Sequence, residues 1–140
     1  MSEEGNTILE ETNRPYFIGS VQTHWLEHDG RDRKMVLIDD FAFCASNGWE
    51  WRAFMGDIFD GASIPKPLWA LFGSPFVGDY RRAAVIHDSY YKGGGEHFAT
   101  RKQTDQMFLE AMRCDGVGRI KSRLMYAAVR LFGPRWEVET

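Results

Sequence analysis

Cysteine is scarce in this chain: there are two in 140 residues, Cys44 and Cys114. They stand far apart, and neither belongs to a Cys-x-x-Cys pair or a Cys/His cluster. That excludes a disulfide-stapled scaffold and a structural zinc centre, and both read as free core thiols. A basic excess is also missing. Lys and Arg number 17 against 20 Asp and Glu, a formal charge of −3, so no overall positive field attracts a nucleic-acid backbone and nucleic acid is disfavoured as a partner. No uninterrupted apolar run approaches the length that spans a bilayer. The opening "MSEEGNTILEETNRP" is acidic and lacks the charged-then-apolar layout of a secretory signal, which points to the cytosol. Repeats and low-complexity tracts are absent. What the chain does hold is 44% hydrophobic residues, with ten Phe and five Trp, enough to bury one bulky core without staples.

The expected organisation is an acidic arm over residues 1–14 followed by one domain over 15–140. "YFIGSVQTHWLEH" and "KMVLIDDFAF" are rich in β-branched and aromatic residues and are separated by "DGRDR", so they read as a hairpin. A second turn at Ala45–Gly48 leads into "WEWRAFMG", in which Trp49, Trp51 and Ala53 alternate with Glu50, Arg52 and Phe54. Helical signals then take over. Ser63 stands where an N-cap would precede a short helix through Leu71, with Pro65 and Pro67 in its first turn. A second helix is expected from about Asp79 to Tyr91, stopped by the glycines at 93–95, and a third opens on Thr100 and ends at Gly116. In a fourth, Ile120, Leu124, Ala127, Ala128 and Leu131 share one stripe, expected to be apolar and buried, while Arg119, Lys121, Arg123 and Arg130 lie elsewhere. Strands first and helices second predict an α+β fold: an N-terminal antiparallel β-meander followed by a bundle of three to four helices.

The candidate chemistry centres on "AAVIHDSYY", residues 83–91. On a helix, His87 and Tyr91 project together, four residues apart, while Asp88 points about 100° away. His87 suits a general base, since its unperturbed pKa lies near neutrality. Asp88, on its separate azimuth, suits a hard divalent cation, Ca or Mg, for which Asp60 and the carbonyls of the "FDGASIP" loop would complete an oxygen-rich site. A base also needs an orienting partner, and Asp105, early in the next helix, is the candidate. Each residue has an ordinary structural use as well: a polar helix end for His87 and Asp88, a first-turn acid for Asp105, a turn residue for Asp60. His24 and His28 share a strand face, and His97 lies in a loop; solvated side chains account for all three.

The blocks "FDGASIPKPLW", "GSPFVGDYRRAAVIHDSYY", "RKQTDQMFLEAM" and "LMYAAVRLFGPRW" resemble a family of small proteins of unknown function encoded by bacteriophages and prophages. This resemblance implies a phage origin and action in the host cytoplasm, with virion association as the alternative. Locally, His87-Asp88-x-x-Tyr91 also resembles the active helix of secreted phospholipases A2. That likeness implies His87 as base, Asp88 as calcium ligand, Tyr91 as a supporting hydroxyl and Asp105 as orienter. The paired cysteines of that family are missing, so the likeness concerns the base and metal geometry and does not extend to phospholipid. Three functions stay open on the sequence: a metal-assisted hydrolase, a non-enzymatic virion or tail component or inhibitor of a host defence protein, and a protein that sequesters a small ligand.

Overall fold

The computed structural model describes residues 14–26, 34–61, 63–91 and 99–133. The acidic arm up to residue 13, His28, the glycines at 93–95 and His97 lie outside the described residues. The fold is α+β, with antiparallel strands preceding the helices. The strands are β1 (Tyr16–Ile18), β2 (Thr23–Trp25), β3 (Met35–Leu37), β4 (Phe41–Cys44), β5 (Glu50–Ala53) and β6 (Ile58–Phe59). The helices are α1 (Lys66–Phe72), α2 (Arg81–Tyr91), α3 (Arg101–Cys114) and α4 (Arg119–Phe132).

The expected hairpin is present but broken in its middle. β1 pairs with β4 and β2 with β3 in the same register, Phe17 opposite Phe43 and His24 opposite Val36, while the ladder is shared between two three-stranded sheets, β1-β4-β5 and β2-β3-β6. The break falls at Gly19, whose φ of +82° is open to glycine at little cost. The turn at Ala45–Gly48 closes as expected, with Ala45 N–H donating to Trp49 O at 2.8 Å. In β5, Trp51 and Ala53 face the core while Trp49 stands at its edge, 37% exposed. Strand β6 replaces part of what reads as a turn before α1, because Met35 and Val36 still offer an unpaired edge that Phe59 and Ile58 fill.

The second expected helix starts at Arg81, two residues inside its expected limit. α3 opens on the full capping box: Thr100 Oγ1 accepts from Gln103 N–H at 3.0 Å, and Gln103 Oε1 accepts from Thr100 N–H at 2.9 Å. Two expectations fail. Ser63 does not cap α1; Pro65 occupies that position with no side-chain cap. The stripe assigned to the core in α4 is turned outward, with Ile120, Leu124 and Leu131 exposed at 78%, 53% and 68%, while Ser122, Met125 and Val129 are buried. α4 carries two apolar arcs, and polar contacts choose between them. The fully buried Arg101 donates from Nη2 to Val129 O at 2.6 Å and Arg130 O at 2.7 Å, satisfying C-terminal carbonyls of α4, and this holds the narrower arc against α3.

The core lies between the sheets and the α2–α3 pair. It gathers Leu37, Phe41, Phe43, Trp51, Ile64, Ile86, Phe108, Met112, Met125 and Val129. α2 is its central helix, buried from Ala83 through Tyr90.

Candidate functional site

His87, on the inner face of α2, is fully buried. Its ring lies between two aromatic neighbours, Tyr91 at 4.3 Å and Phe108 at 4.4 Å between centroids. Both ring nitrogens are engaged: Nε2 stands 2.7 Å from Asp105 Oδ1, and Nδ1 stands 3.0 Å from Ser63 Oγ. Asp105 is reached because α2 and α3 pack side by side and the second turn of α3 faces His87. A carboxylate only accepts, so the neutral imidazole carries its proton on Nε2 and leaves Nδ1 as an acceptor for the Ser63 hydroxyl. Serine, histidine and aspartate thus form one hydrogen-bonded chain.

Asp105 is the hub. Oδ1 also accepts from the Tyr91 hydroxyl at 2.6 Å, and Oδ2 accepts from Arg130 Nη1 at 3.0 Å, with Arg101 Nε 4.0 Å away. Burial on its own pushes the Asp105 carboxyl upward. Hydrogen bonds from His87, Tyr91 and Arg130, together with the electrostatic attraction of His87, outweigh that and hold it below the ordinary carboxylate value. Tyr91 moves the other way: burial, then the neighbouring Asp105 charge and the hydrogen bond to it, push its phenol well above the usual value. The hydroxyl therefore stays protonated and donating.

Tyr91→Phe removes that donor from a charged acceptor, and stability falls by about 1.5–3 kcal/mol, measured by urea unfolding at neutral pH. A phenol whose pKa is raised by folding contributes stability that is complete below its ordinary value, about 10, and that fades as pH rises through the folded value. The gap between wild type and variant accordingly narrows in alkali.

Asp88 points to the other side, as its azimuth requires, and holds the loop before α1. Oδ1 accepts from Ser63 N–H at 3.0 Å and Oδ2 from Asp60 N–H at 3.3 Å. The loop thus turns backbone donors toward the carboxylate that the sequence assigns to a cation, and an N–H dipole repels a cation where a carbonyl would bind one. Among the described residues, no group of three or more His, Cys, Asp or Glu side chains could hold a metal ion. The arrangement makes Asp88 the anchor that sets Ser63 over His87.

Gly61 makes the loop path possible. Its φ is +73°, and a Cβ there would stand 2.7 Å from Trp69 Cζ2 and 2.8 Å from Pro75 Cγ. Gly61→Ala combines a left-handed backbone with overpacking; the expected loss is about 2 kcal/mol or more, read as a lowered thermal midpoint, with Ser63 displaced from His87.

The structure therefore brings His87, Asp105, Tyr91, Asp88 and the backbone of Asp60 together, and adds Ser63 and Arg130, which the sequence reading leaves out. The sequence does hold a signal for Ser63. Pro65 and Pro67 both lack an N–H, so the first turn of α1 offers few donors for a serine cap to serve, and the hydroxyl is free for another partner.

Residues 35–129 match the family described as "Protein of unknown function (DUF1353)". The chain is 40% identical over 104 residues to the uncharacterized protein y4jT of Sinorhizobium fredii (strain NBRC 101917 / NGR234), covering 74% of this chain and 30% of that protein. It is 41% identical over 101 residues to the uncharacterized protein y4iH of the same strain, covering 72% of this chain and 41% of that protein. The chain thus spans less than half the length of these relatives. No solved structure matches.

Proposed function

The chain belongs to the DUF1353 family of proteins of unknown function, and from that premise we propose that it is a hydrolase acting by acyl transfer through Ser63, His87 and Asp105. The observation that supports this reading is the unbroken chain Ser63 Oγ, His87 Nδ1, His87 Nε2, Asp105 Oδ1, with links of 3.0 and 2.7 Å. As Ser63 Oγ attacks the carbonyl carbon of an ester or amide, its proton passes to His87 Nδ1. Collapse of the tetrahedral adduct breaks the bond to the leaving group, which takes that proton and departs. Water then attacks the acyl-serine, gives one proton to Nδ1, and Ser63 leaves with it as the hydroxyl. Asp105 holds the ring in the required tautomer and supports the imidazolium, and Tyr91 and Arg130 hold Asp105. Asp88 positions the nucleophile through Ser63 N–H. The phage or prophage origin suggested by the motifs is part of this proposal, with a target in the host cell or its envelope.

A second reading is favoured by burial: Ser63, His87 and Asp105 are exposed by no more than 2%. On that reading the network clamps Asp60, Ser63, α2, α3 and α4 together, and the chain works through a partner, as a virion component or an inhibitor of a host protein. A screen of p-nitrophenyl acyl esters and peptide anilides, run with and without EDTA, separates the readings. The acyl-transfer proposal expects turnover that Ser63→Ala removes and that EDTA leaves unchanged. Turnover that EDTA abolishes and Ca or Mg restores would return Asp88 and Asp60 to a metal-assisted role. Absence of turnover across the screen would favour the clamp.

A further inference from the structure

On the opposite side of α3 from Asp105, the helix and the β4–β5 turn enclose a cleft of about 460 Å³. Gln103, Gln106, Met107 and Glu110 line it from one face of α3, and Ser46, Asn47, Trp49 and Trp51 line it from the turn and β5. It shares none of its lining with the Ser63–His87–Asp105 chain. We propose that this cleft binds a neutral saccharide unit. The inference stands apart from the hydrolase reading.

Charge narrows the ligand first. Among the described residues no Lys or Arg lines the cleft, and the one ionisable side chain there, Glu110, is fixed by Ser46, whose N–H and hydroxyl donate to the two carboxylate oxygens at 2.6 and 2.9 Å. A phosphate, nucleotide or carboxylate would find no counter-charge there and one like charge. A purely apolar ligand would cover the side-chain NH2 groups of Asn47, Gln103 and Gln106 and offer them no acceptor.

What the cleft offers instead are aromatic faces beside neutral amides. The indoles of Trp49 and Trp51 are 5.8 Å apart and tilted by 42°. Trp51 is buried, while Trp49, 37% exposed, presents ring surface at the rim. A pyranose carries a face of C–H groups that packs on such a ring and an equator of hydroxyls that both donate and accept. The amides fit that equator. Asn47 Oδ1 accepts from Trp49 N–H at 3.0 Å and Gln103 Oε1 accepts from Thr100 N–H at 2.9 Å. Those bonds hold each side chain in place and leave its NH2 as a donor. The volume falls within the range of small-ligand sites and suits one or two sugar rings.

The test is a titration of the full 15N-labelled chain with chitotriose, cellotriose and maltotriose, each to about 10 mM, the range of weak specific sites, followed by amide and indole resonances. Saturable shifts confined to the Trp49 indole, the side-chain amides of Asn47, Gln103 and Gln106, and their backbone neighbours are expected with at least one sugar. Trp49→Ala and Gln106→Ala both lie outside the buried core, and each is expected to weaken binding by about tenfold or more while leaving the spectrum of α2 unchanged. If Trp49→Ala perturbs the fold, Gln106→Ala alone decides. The proposal is overturned by the absence of saturable shifts with all three sugars, by shifts located elsewhere, or by a cleft that answers only to tetramethylammonium, which would make it an aromatic cation site.

Discussion

Asp105→Asn lowers the free energy of unfolding by about 3–5 kcal/mol, the usual cost of removing one partner from a buried ionic network. The carboxylate accepts from His87, Tyr91 and Arg130 and lies 4.0 Å from Arg101; Asp105, His87 and Arg101 are fully buried, and Tyr91 and Arg130 are half-buried. An asparagine turns an NH2 toward one set of these donors, so that at least one cation loses its counter-charge and one donor its acceptor. Urea unfolding at pH 7 reads the loss. Its pH dependence supplies the control. Folding depresses the Asp105 pKa, so its contribution is complete above the ordinary carboxylate value, about 4, and is lost as pH falls through the lower folded value. The variant should therefore approach wild type in acid and differ most near neutrality. A difference that stays constant with pH would assign the loss to packing and not to charge.

The second large effect concerns turnover. Ser63→Ala, His87→Gln and the double variant should each lower kcat by a factor on the order of 10³ or more, and by similar amounts, because nucleophile and base act as one unit. Stability separates this from collapse of the fold. Ser63→Ala gives up the hydroxyl's bond to His87, costing about 1 kcal/mol, while the Ser63 N–H bond to Asp88 is retained. A double variant that loses the product of the two single effects would mean that the residues act independently and are not nucleophile and base.

Much of the architecture was legible in the sequence, for identifiable reasons. The turn at Ala45–Gly48 and the alternation of Trp51 and Ala53 mark the order of β4 and β5, and Thr100 with Gln103 marks the start of α3, while the Asp-Gly turn of the hairpin lies outside the described residues. The His87, Tyr91 and Asp105 grouping followed from helical spacing and an antiparallel return. What escaped depended on contacts distant in sequence. The break in the hairpin rests on one glycine whose φ cannot be told from other glycines beforehand. β6 is two residues long and exists because β3 had an edge to fill. The outward face of α4 is not legible because Ile120, Leu124 and Leu131 outnumber Met125 and Val129, while the choice is made by Arg101 reaching carbonyls 28 and 29 residues away. Ser63 reads as a cap of the helix beside it, but its partner stands 24 residues on. A hydroxyl has short reach locally and no sequence periodicity, so only the folded loop reveals what it meets.

The central claim is that Ser63 is a nucleophile activated by His87. The most direct measurement is treatment of the folded chain with a fluorophosphonate, followed by peptide mass spectrometry to locate the adduct. The account predicts phosphonylation of Ser63, lost in His87→Gln while circular dichroism shows that variant folded. An unmodified Ser63 in wild type, under conditions in which a known serine hydrolase is fully labelled, would contradict it and leave the Ser63–His87–Asp105 chain as the clamp that joins the loop to the helices.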